Sequence, residues 1–320
     1  MTLPLSPTIA PALALSRSKL PDDDGRYCFE IKLDGFRCLA FVDGEEVFLQ
    51  SRNGRPLGRY FPELRFPPGR YVLDGEIVVR DASGREDFDA LQQRIHPAES
   101  RVQRLAGETP ATFVAFDVLA DEDEVWMERP YVDRRAALES LLERLGGADA
   151  GPELIASVAS TAEAQGWLRD AEGVIAKERD APYLPGERRG MLKIKRVRTI
   201  DAVVAGWRPG KEPDTVGALI LGLYDGDALR LVGHCSGLTA PEKRRLVGVF
   251  APYQTGERGS GEASRWTAGR ELEWIELRPE LVIEVDFDHV SAGRIRHGAK
   301  LRRWREDKPA RECVFSQLEQ

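Results

Sequence analysis

The first two hundred residues alternate short β-branched and aromatic runs with turn signals, and they never settle into the strand–helix–strand rhythm of a parallel sheet. RYCFEIKLDGFRCLAFVDGEEVFLQS reads as three strands joined by turns at Asp34-Gly35 and Asp43-Gly44. YVLDGEIVVR, ATFVAFDVLA, EGVIAKER and GMLKIKRV read as four more. Between them FDALQQRI, RPYVDRRAALESLLERL and TAEAQGWLRDA carry helical patterns. The pattern predicts an α+β fold with mainly antiparallel sheets.

After about Ile200 the pattern changes. DAVVAGWRPG, GALILGLYDGDALRLVGHCS and LVIEVDFDHV are strand-like, with one helix, APEKRRLVGVF, among them. About five strands and one helix suit a small Greek-key barrel of the OB type. The expected division is therefore a first domain over 1–198 and an OB barrel over 199–320, with residues 197–201 as the hinge. A chain of 320 residues has room for two cores.

No apolar run approaches the roughly 18 residues of a membrane span, so none is expected. The opening twenty residues, MTLPLSPTIAPALALSRSKL, are apolar and proline-rich but lack the basic start of a signal peptide. They predict a proline-broken arm lying on the domain surface. Cys28, Cys38, Cys235 and Cys313 stand singly, as do His96, His234, His289 and His297. No pair has zinc-ligand spacing and there is no disulfide framework, which points to buried cysteines in a reducing cytoplasm.

The net charge of −7 argues against a protein that simply coats DNA. The charge is uneven, however. Residues 294–311 hold Arg294, Arg296, Lys300, Arg302, Arg303, Arg305, Lys308 and Arg311 against Glu306 and Asp307. A second cluster contains Arg188, Arg189, Lys193, Lys195, Arg196 and Arg198, while acidic residues gather at 22–24 and 121–124. Basic runs are usually solvated faces, and these two suggest phosphate only because of the motifs around them.

The central motif is Lys32-Leu33-Asp34-Gly35-Phe36-Arg37. Taken alone it also fits a hairpin with a strand-end lysine, an Asp-Gly turn and a surface arginine. Its company decides between the two. Ser51-Arg52-Asn53-Gly54 follows, then Leu73-Asp74-Gly75-Glu76-Ile77-Val78, then Phe113-Val114-Ala115-Phe116-Asp117. Glu172-Gly173-Val174-Ile175-Ala176-Lys177, Lys193-Ile194-Lys195 and Arg303-Trp304-Arg305-Glu306-Asp307-Lys308 complete the series. In order and content these segments resemble the successive motifs of the covalent nucleotidyltransferases, the superfamily of DNA ligases, RNA ligases and mRNA capping enzymes. The likeness runs from Glu30 to about Cys313 and is greatest to compact bacterial ATP-dependent DNA ligases of the ligase C type. Two departures stand out. Met191 occupies a position where many relatives carry Trp, and no helical DNA-binding domain is recognisable ahead of the core, so two domains are expected to grip the DNA.

The resemblance implies a nucleotidyltransferase (adenylation) domain followed by the OB barrel, and a reaction in which Lys32 takes AMP from ATP, passes it to the 5′-phosphate of a nick and allows the 3′-hydroxyl to displace it. Lys32 must attack as a neutral amine although a free lysine titrates near 10.4. Arg37, Lys193, Lys195 and a bound metal are expected to disfavour its charged form and to stabilise charge on the α-phosphate. Glu76 and Glu172 suit Mg²⁺ or Mn²⁺, which take hard oxygen ligands, or a ribose hydroxyl. Phe116 is expected to stack on the base, with Phe113 in the core, and Arg52 to contact the nucleotide or phosphate. Glu30 suits ATP over GTP, because a carboxylate accepts from the adenine N6 amine but meets an acceptor at guanine O6. Arg305, Asp307 and Lys308 are expected to orient pyrophosphate from the barrel. The implied partner is nicked duplex DNA, bound by a monomer. An RNA ligase or a GTP-using capping enzyme is the alternative within the superfamily. A non-catalytic nucleic-acid-binding module is the alternative outside it.

Overall fold

The computed structural model describes every residue except 1, 23–24, 147–150, 262–271, 289, 292, 297 and 320. His289, His297, Asp23 and Asp24, noted above, lie outside the described residues. The chain divides into two compact units, Met1–Arg196 and Val197–Gln320. No helix among the described residues is long and apolar enough to cross a membrane.

The strands of the first unit are β1 (Leu15–Arg17), β2 (Tyr27–Lys32), β3 (Phe36–Gly44), β4 (Glu46–Ser51), β5 (Gly69–Val79), β6 (Ala111–Asp121), β7 (Glu124–Val125), β8 (Glu153–Leu154), β9 (Ser157–Val158), β10 (Gly173–Glu178) and β11 (Met191–Lys195). They form two sheets. One has the order β1-β11-β10-β2-β9 and is antiparallel except for β1 beside β11. The other has the order β4-β3-β5-β6-β7, with β8 parallel to β6.

Asp43-Gly44 closes a β3–β4 hairpin, with Gly44 at φ 65°. Asp34-Gly35 does not close one. β2 pairs with β10 and β9 while β3 pairs with β4 and β5, so the Asp-Gly step carries the chain from one sheet to the other. The glycine is needed for close approach: a Cβ at Gly35 would lie 2.3 Å from the Ile77 carbonyl oxygen.

Period-two alternation decides what each face of the second sheet does. Cys38, Ala40 and Val42 of β3, with Tyr71, Leu73, Ile77 and Val79 of β5, point into the main core with Leu138, Leu141 and Leu142 of helix α3. Among the described residues the α-helices of this unit are α1 (Phe88–Gln93), α2 (Glu99–Glu108), α3 (Tyr131–Arg144) and α4 (Thr161–Asp170). Helix α2 was not expected, since only Val102 and Leu105 are buried along it and its N-cap, Ala98, offers no side-chain acceptor. The opposite face of the second sheet buries Leu39, Phe41 and Val72 at one end. Its other end is polar, and the candidate site lies there.

The N-terminal arm is more than surface cover. Leu3, Leu5 and Ile9 pack on the Leu39–Phe41–Val72 cluster, Ala12 is buried within it, and β1 adds an edge strand to β11. Its partners are remote in sequence, so its prolines and lack of periodicity concealed the role.

The second unit contains β12 (Arg198–Pro209), β13 (Val216–Asp225), β14 (Ala228–Cys235), helix α5 (Ala240–Phe250), β15 (Gln254–Gly261), β16 (Leu272–Leu277), β17 (Val282–Phe287), β18 (Val290–Ser291), β19 (Arg294–Ile295) and β20 (Lys300–Trp304). It is the antiparallel OB-type barrel. β12 pairs with β17 over Arg198–Val203, then with β13 over Val203–Pro209 and with β16 at Gly206–Trp207. A bulge between Val204 and Gly206 accompanies that change, the kind of irregularity that curls a sheet. Helix α5 starts on a capping box between Thr239 and Glu242. The expected hinge over 197–201 overlaps the start of β12. Residues 198–201 already pair with β17, which leaves Arg196 and Val197 between the last strand of one unit and the first of the next.

Candidate active site

The strand register gathers the site. Gly173 of β10 lies opposite Lys32 of β2 on one side and Lys195 of β11 on the other. Two residues on, Ile175 lies between Glu30 and Lys193 in the same way. Alternation therefore puts Glu30, Lys32, Lys177, Lys193 and Lys195 on one face. The other face carries Phe29, Val174, Ala176 and Ile194, which pack with Ala164 of α4. Gly173 permits this spacing, because a Cβ there would lie 2.3 Å from the Ile194 carbonyl oxygen.

The polar end of the second sheet supplies Arg37 from β3, Asp74 and Glu76 from β5 and Phe116 from β6. The two sheets enclose a cavity of about 200 Å³ whose lining includes Glu30, Lys32, Arg37, Arg52, Glu76, Phe116 and Lys193. Seven of the residues singled out from sequence thus share one cavity. Glu172 and Lys195 adjoin it through ion pairs: the Lys32 ammonium donates to Glu172, whose second oxygen lies 3.3 Å from Lys195 Nζ. Lys32 Nζ also lies 3.3 Å from the Leu33 carbonyl. Arg52 is exposed, on a turn in which Gly54, at φ 75°, donates to the Ser51 carbonyl at 2.9 Å.

Electrostatics sharpen the picture. Burial lowers the Lys193 pKa, and the neighbouring charges of Lys195, Lys32, Arg188 and Arg52 lower it further. Burial pushes the Glu76 carboxyl up to about 7, with Asp74 and Glu172 adding to the rise while Arg37 and Lys32 oppose it. Arg37, one of the expected cations, is tied to its own sheet. Its Nε and one terminal nitrogen each donate to Asp74 at 2.6 Å, and its guanidinium carbon sits 4.4 Å from the centroid of the Phe116 ring. Phe113 is buried in the core against Phe66, whereas Phe116 reaches the cavity.

Three residues of this neighbourhood were missed. Glu30 is 1% exposed and accepts from Tyr131 Oη at 2.6 Å and from Lys177 Nζ at 2.9 Å, with Arg135 3.9 Å away. Lys177 also donates to the Phe116 carbonyl at 2.7 Å and lies 4.8 Å from that ring's centroid. Lys177 was detectable, since it stands two residues beyond Ile175 on the same strand face. Tyr131 and Arg135 were not, because a helix delivers them from about a hundred residues away in sequence. Asp117 serves structure, pairing bidentately with Arg134 at 2.8 and 3.0 Å. Met191, at the position noted above as a departure from the family pattern, lines the cavity and packs on the cluster around Ala12 and Tyr183.

Arg305, Asp307 and Lys308 belong to the second unit and form their own network. Arg305 donates to Asp201 at 2.8 Å and to both oxygens of Asp307 at 2.9 Å, and Lys308 donates to Asp201 at 2.9 Å. Arg302 and Arg303 pair with Glu284, so much of the 294–311 run is ion-paired and is no bare basic tail. Among the described residues no group of three or more His, Cys, Asp and Glu side chains is arranged to hold a metal. Glu76 and Glu172 do lie within electrostatic reach of each other. One or two carboxylates beside substrate phosphates are enough for Mg²⁺, so this donor set fits such an ion.

The family model for the ATP dependent DNA ligase domain matches residues 9–195, and that for the ATP dependent DNA ligase C terminal region matches 212–308. DNA ligase C of Mycobacterium tuberculosis is 44% identical, the match covering 100% of this chain and 96% of the relative. DNA ligase C1 of Mycolicibacterium smegmatis is 42% identical with the same coverage. Among solved structures, the ligase domain from M. tuberculosis LigD superimposes with a TM-score of 0.53 at 31% identity, covering 96% of this chain and 98% of that one. A Lig E DNA ligase, 17% identical with a TM-score of 0.58 over 93% of this chain and 100% of its own, shares the fold. With two family models spanning both units and full-length relatives above 40% identity, the chain belongs to the ATP-dependent DNA ligases.

Proposed function

We propose that the chain seals nicks in duplex DNA through an AMP covalently carried on Lys32 Nζ. One arrangement carries the proposal: an amine at the wall of a cavity that also holds Phe116, Glu30 and a cluster of cations. In the first step the Lys32 nitrogen forms a bond to the α-phosphorus of ATP, the bond to pyrophosphate breaks, and the amine gives up a proton. Lys193 and Lys195 face the same side as Lys32 and offset charge that builds on the phosphate oxygens. Phe116 offers an apolar face to the base. Tyr131 and Lys177 hold Glu30, which leaves lone pairs free to accept from the N6 amine of adenine.

Glu76 and Glu172 are the residues that would hold Mg²⁺ or Mn²⁺, which when bound neutralises phosphate charge. For the first step Lys32 must leave Glu172, and Lys195 is the cation already placed to keep that carboxylate company. In the second step the 5′-phosphate of the nick takes AMP and frees the lysine. In the third the 3′-hydroxyl bonds to the 5′-phosphorus and AMP departs. Arg305 and Lys308 are the barrel residues suited to pyrophosphate by charge, and Asp307 holds the Arg305 guanidinium in place.

The test is incubation with Mg²⁺ and α-labelled ATP or GTP, followed by a nicked duplex. Label is expected on the chain from ATP alone, none on Lys32→Ala, and sealing once nicked DNA is added. Label from GTP alone, or label surviving Lys32→Ala, overturns the proposal.

A further inference from the structure

Asp74 is fully buried, and two donors besides Arg37 Nε converge on it. The second Arg37 nitrogen donates at 2.6 Å, and the Tyr183 hydroxyl donates to the same oxygen at 2.6 Å. Tyr183 is itself buried, and burial beside Asp74 raises its pKa well above the ordinary value, so the phenol keeps its proton. Its oxygen in turn accepts from the Ala12 N–H at 3.0 Å, while the Ala12 carbonyl accepts from Arg37 at 3.3 Å. The contacts close a ring: Ala12 to Tyr183 to Asp74 to Arg37 and back to Ala12. Ala12 has no strand partner, so this ring satisfies both of its buried backbone groups.

The ring matters because of where its members stand. Pro11, Ala12, Leu13 and Ala14 line the same cavity as Lys32. The loop carrying Tyr183 secures them further, with Leu13 N–H donating to Glu187 at 2.8 Å and Gly186 N–H to Pro11 at 3.2 Å. On the other side of the ring, Arg37 is held over Phe116.

We propose that Tyr183 is a positioning residue for the nucleotide, fixing residues 11–14 as one wall of the cavity and setting the Arg37–Phe116 stack on another. This rests on the reading that the cavity takes ATP. Removing one hydroxyl leaves the Ala12 N–H without its acceptor and Asp74 short of a donor, so wall and stack loosen together while Lys32, Lys193 and Lys195 keep their places on the other sheet.

The experiment is self-adenylation of the full chain and of Tyr183→Phe with α-labelled ATP over a range of ATP concentrations. The KM for ATP is expected to rise about tenfold with kcat nearly unchanged, the mark of lost binding that is uniform through the step. An unchanged KM overturns the inference, and so does a fall in kcat alone, which is what a smaller folded fraction produces. Should Tyr183→Phe fail to fold, amide hydrogen exchange on the unaltered protein decides. Mg²⁺ with an α,β-methylene ATP analogue is expected to slow exchange at Ala12 and Leu13, and unchanged exchange there overturns the inference. A wild-type chain that takes no label sinks the nucleotide reading along with it. A labelled wild type beside an unchanged KM in the variant sinks this inference alone.

Discussion

Lys32 and Glu172 are ion-paired at the end of the β2–β10 ladder, and the same carboxylate holds Lys195 at 3.3 Å. An ammonium that donates to a carboxylate has no lone pair to attack with. The pair is therefore a resting arrangement, and Glu172 must exchange one cation for another when Lys32 reacts.

That exchange gives the first prediction. If Glu172 helps to hold a divalent cation, Glu172→Gln should raise the Mg²⁺ concentration needed for half-maximal self-adenylation by about 10–100-fold, with partial recovery at high Mg²⁺. If the carboxylate only restrains Lys32, the same variant labels faster than wild type. Titrating Mg²⁺ against labelling rate separates the two outcomes.

Glu76 supplies a prediction about pH. Its folded pKa of about 7 lies above the ordinary 4.5, so between those values the folded chain binds this proton and the unfolded chain does not. The stability it contributes is fully present below about 4.5 and is lost as pH rises through about 7. Within that window the slope from this one group is at most about 1.4 kcal/mol per pH unit. In metal-free buffer, urea unfolding of wild type should lose stability relative to Glu76→Gln as pH goes from 5 to 7.5. Parallel curves for the two proteins would show that Glu76 titrates normally.

Much of this was legible in the sequence, and the rest was hidden for identifiable reasons. The strands around Lys32, Glu76, Phe116 and Lys193 announced themselves through β-branched runs, and period-two spacing was enough to place Lys193 and Lys195 on one face. What local pattern could not show was pairing across distance. Asp34-Gly35 has the chemistry of a hairpin turn, and only the partners of β2 and β3 reveal a crossing between sheets. The partner of Arg37 was hidden because Asp74 stands 37 residues away. The ion pairs of Arg305 and Lys308 were hidden within the basic 294–311 run because Asp201 lies more than a hundred residues upstream. Helix α2 buries too few apolar residues to leave a strong stripe, and a buried ion pair outside it does part of its anchoring.

That ion pair is Arg94 with Glu63. Arg94 is fully buried; it donates to Glu63 at 2.6 and 2.8 Å and to the Tyr60 and Thr109 carbonyls. Glu63 also accepts from the Ala111 N–H at 2.9 Å. Glu63→Ala leaves a buried guanidinium without its counter-charge and should destabilise the first unit by about 3–5 kcal/mol in urea unfolding. Replacing both partners, Glu63→Leu with Arg94→Met, should recover much of that loss. A single variant as stable as wild type would mean that water reaches Arg94 freely.

Gly173 carries the last prediction, and it links spacing to chemistry. It sits between Lys32 and Lys195 in the ladder, and an added Cβ would lie 2.3 Å from the Ile194 carbonyl oxygen and 3.0 Å from Lys195 Cα. Those contacts are with backbone, so no side-chain rotation relieves them; β11 itself must move away from β10. Overpacking of this kind costs about 1–3 kcal/mol. The same movement shifts Lys193 and Lys195 relative to Lys32, and a misplacement near 1 Å can lower a rate about 10²-fold. Gly173→Ala is therefore expected to remain folded at 25 °C, to lose a few degrees of Tm, and to label with α-labelled ATP about a hundred times more slowly. The KM for ATP should change far less, because Phe116 and Glu30 lie on parts of the cavity that β11 does not carry. Labelling at the wild-type rate would show that the spacing of the three lysines tolerates the shift, and that their geometry does not govern the step.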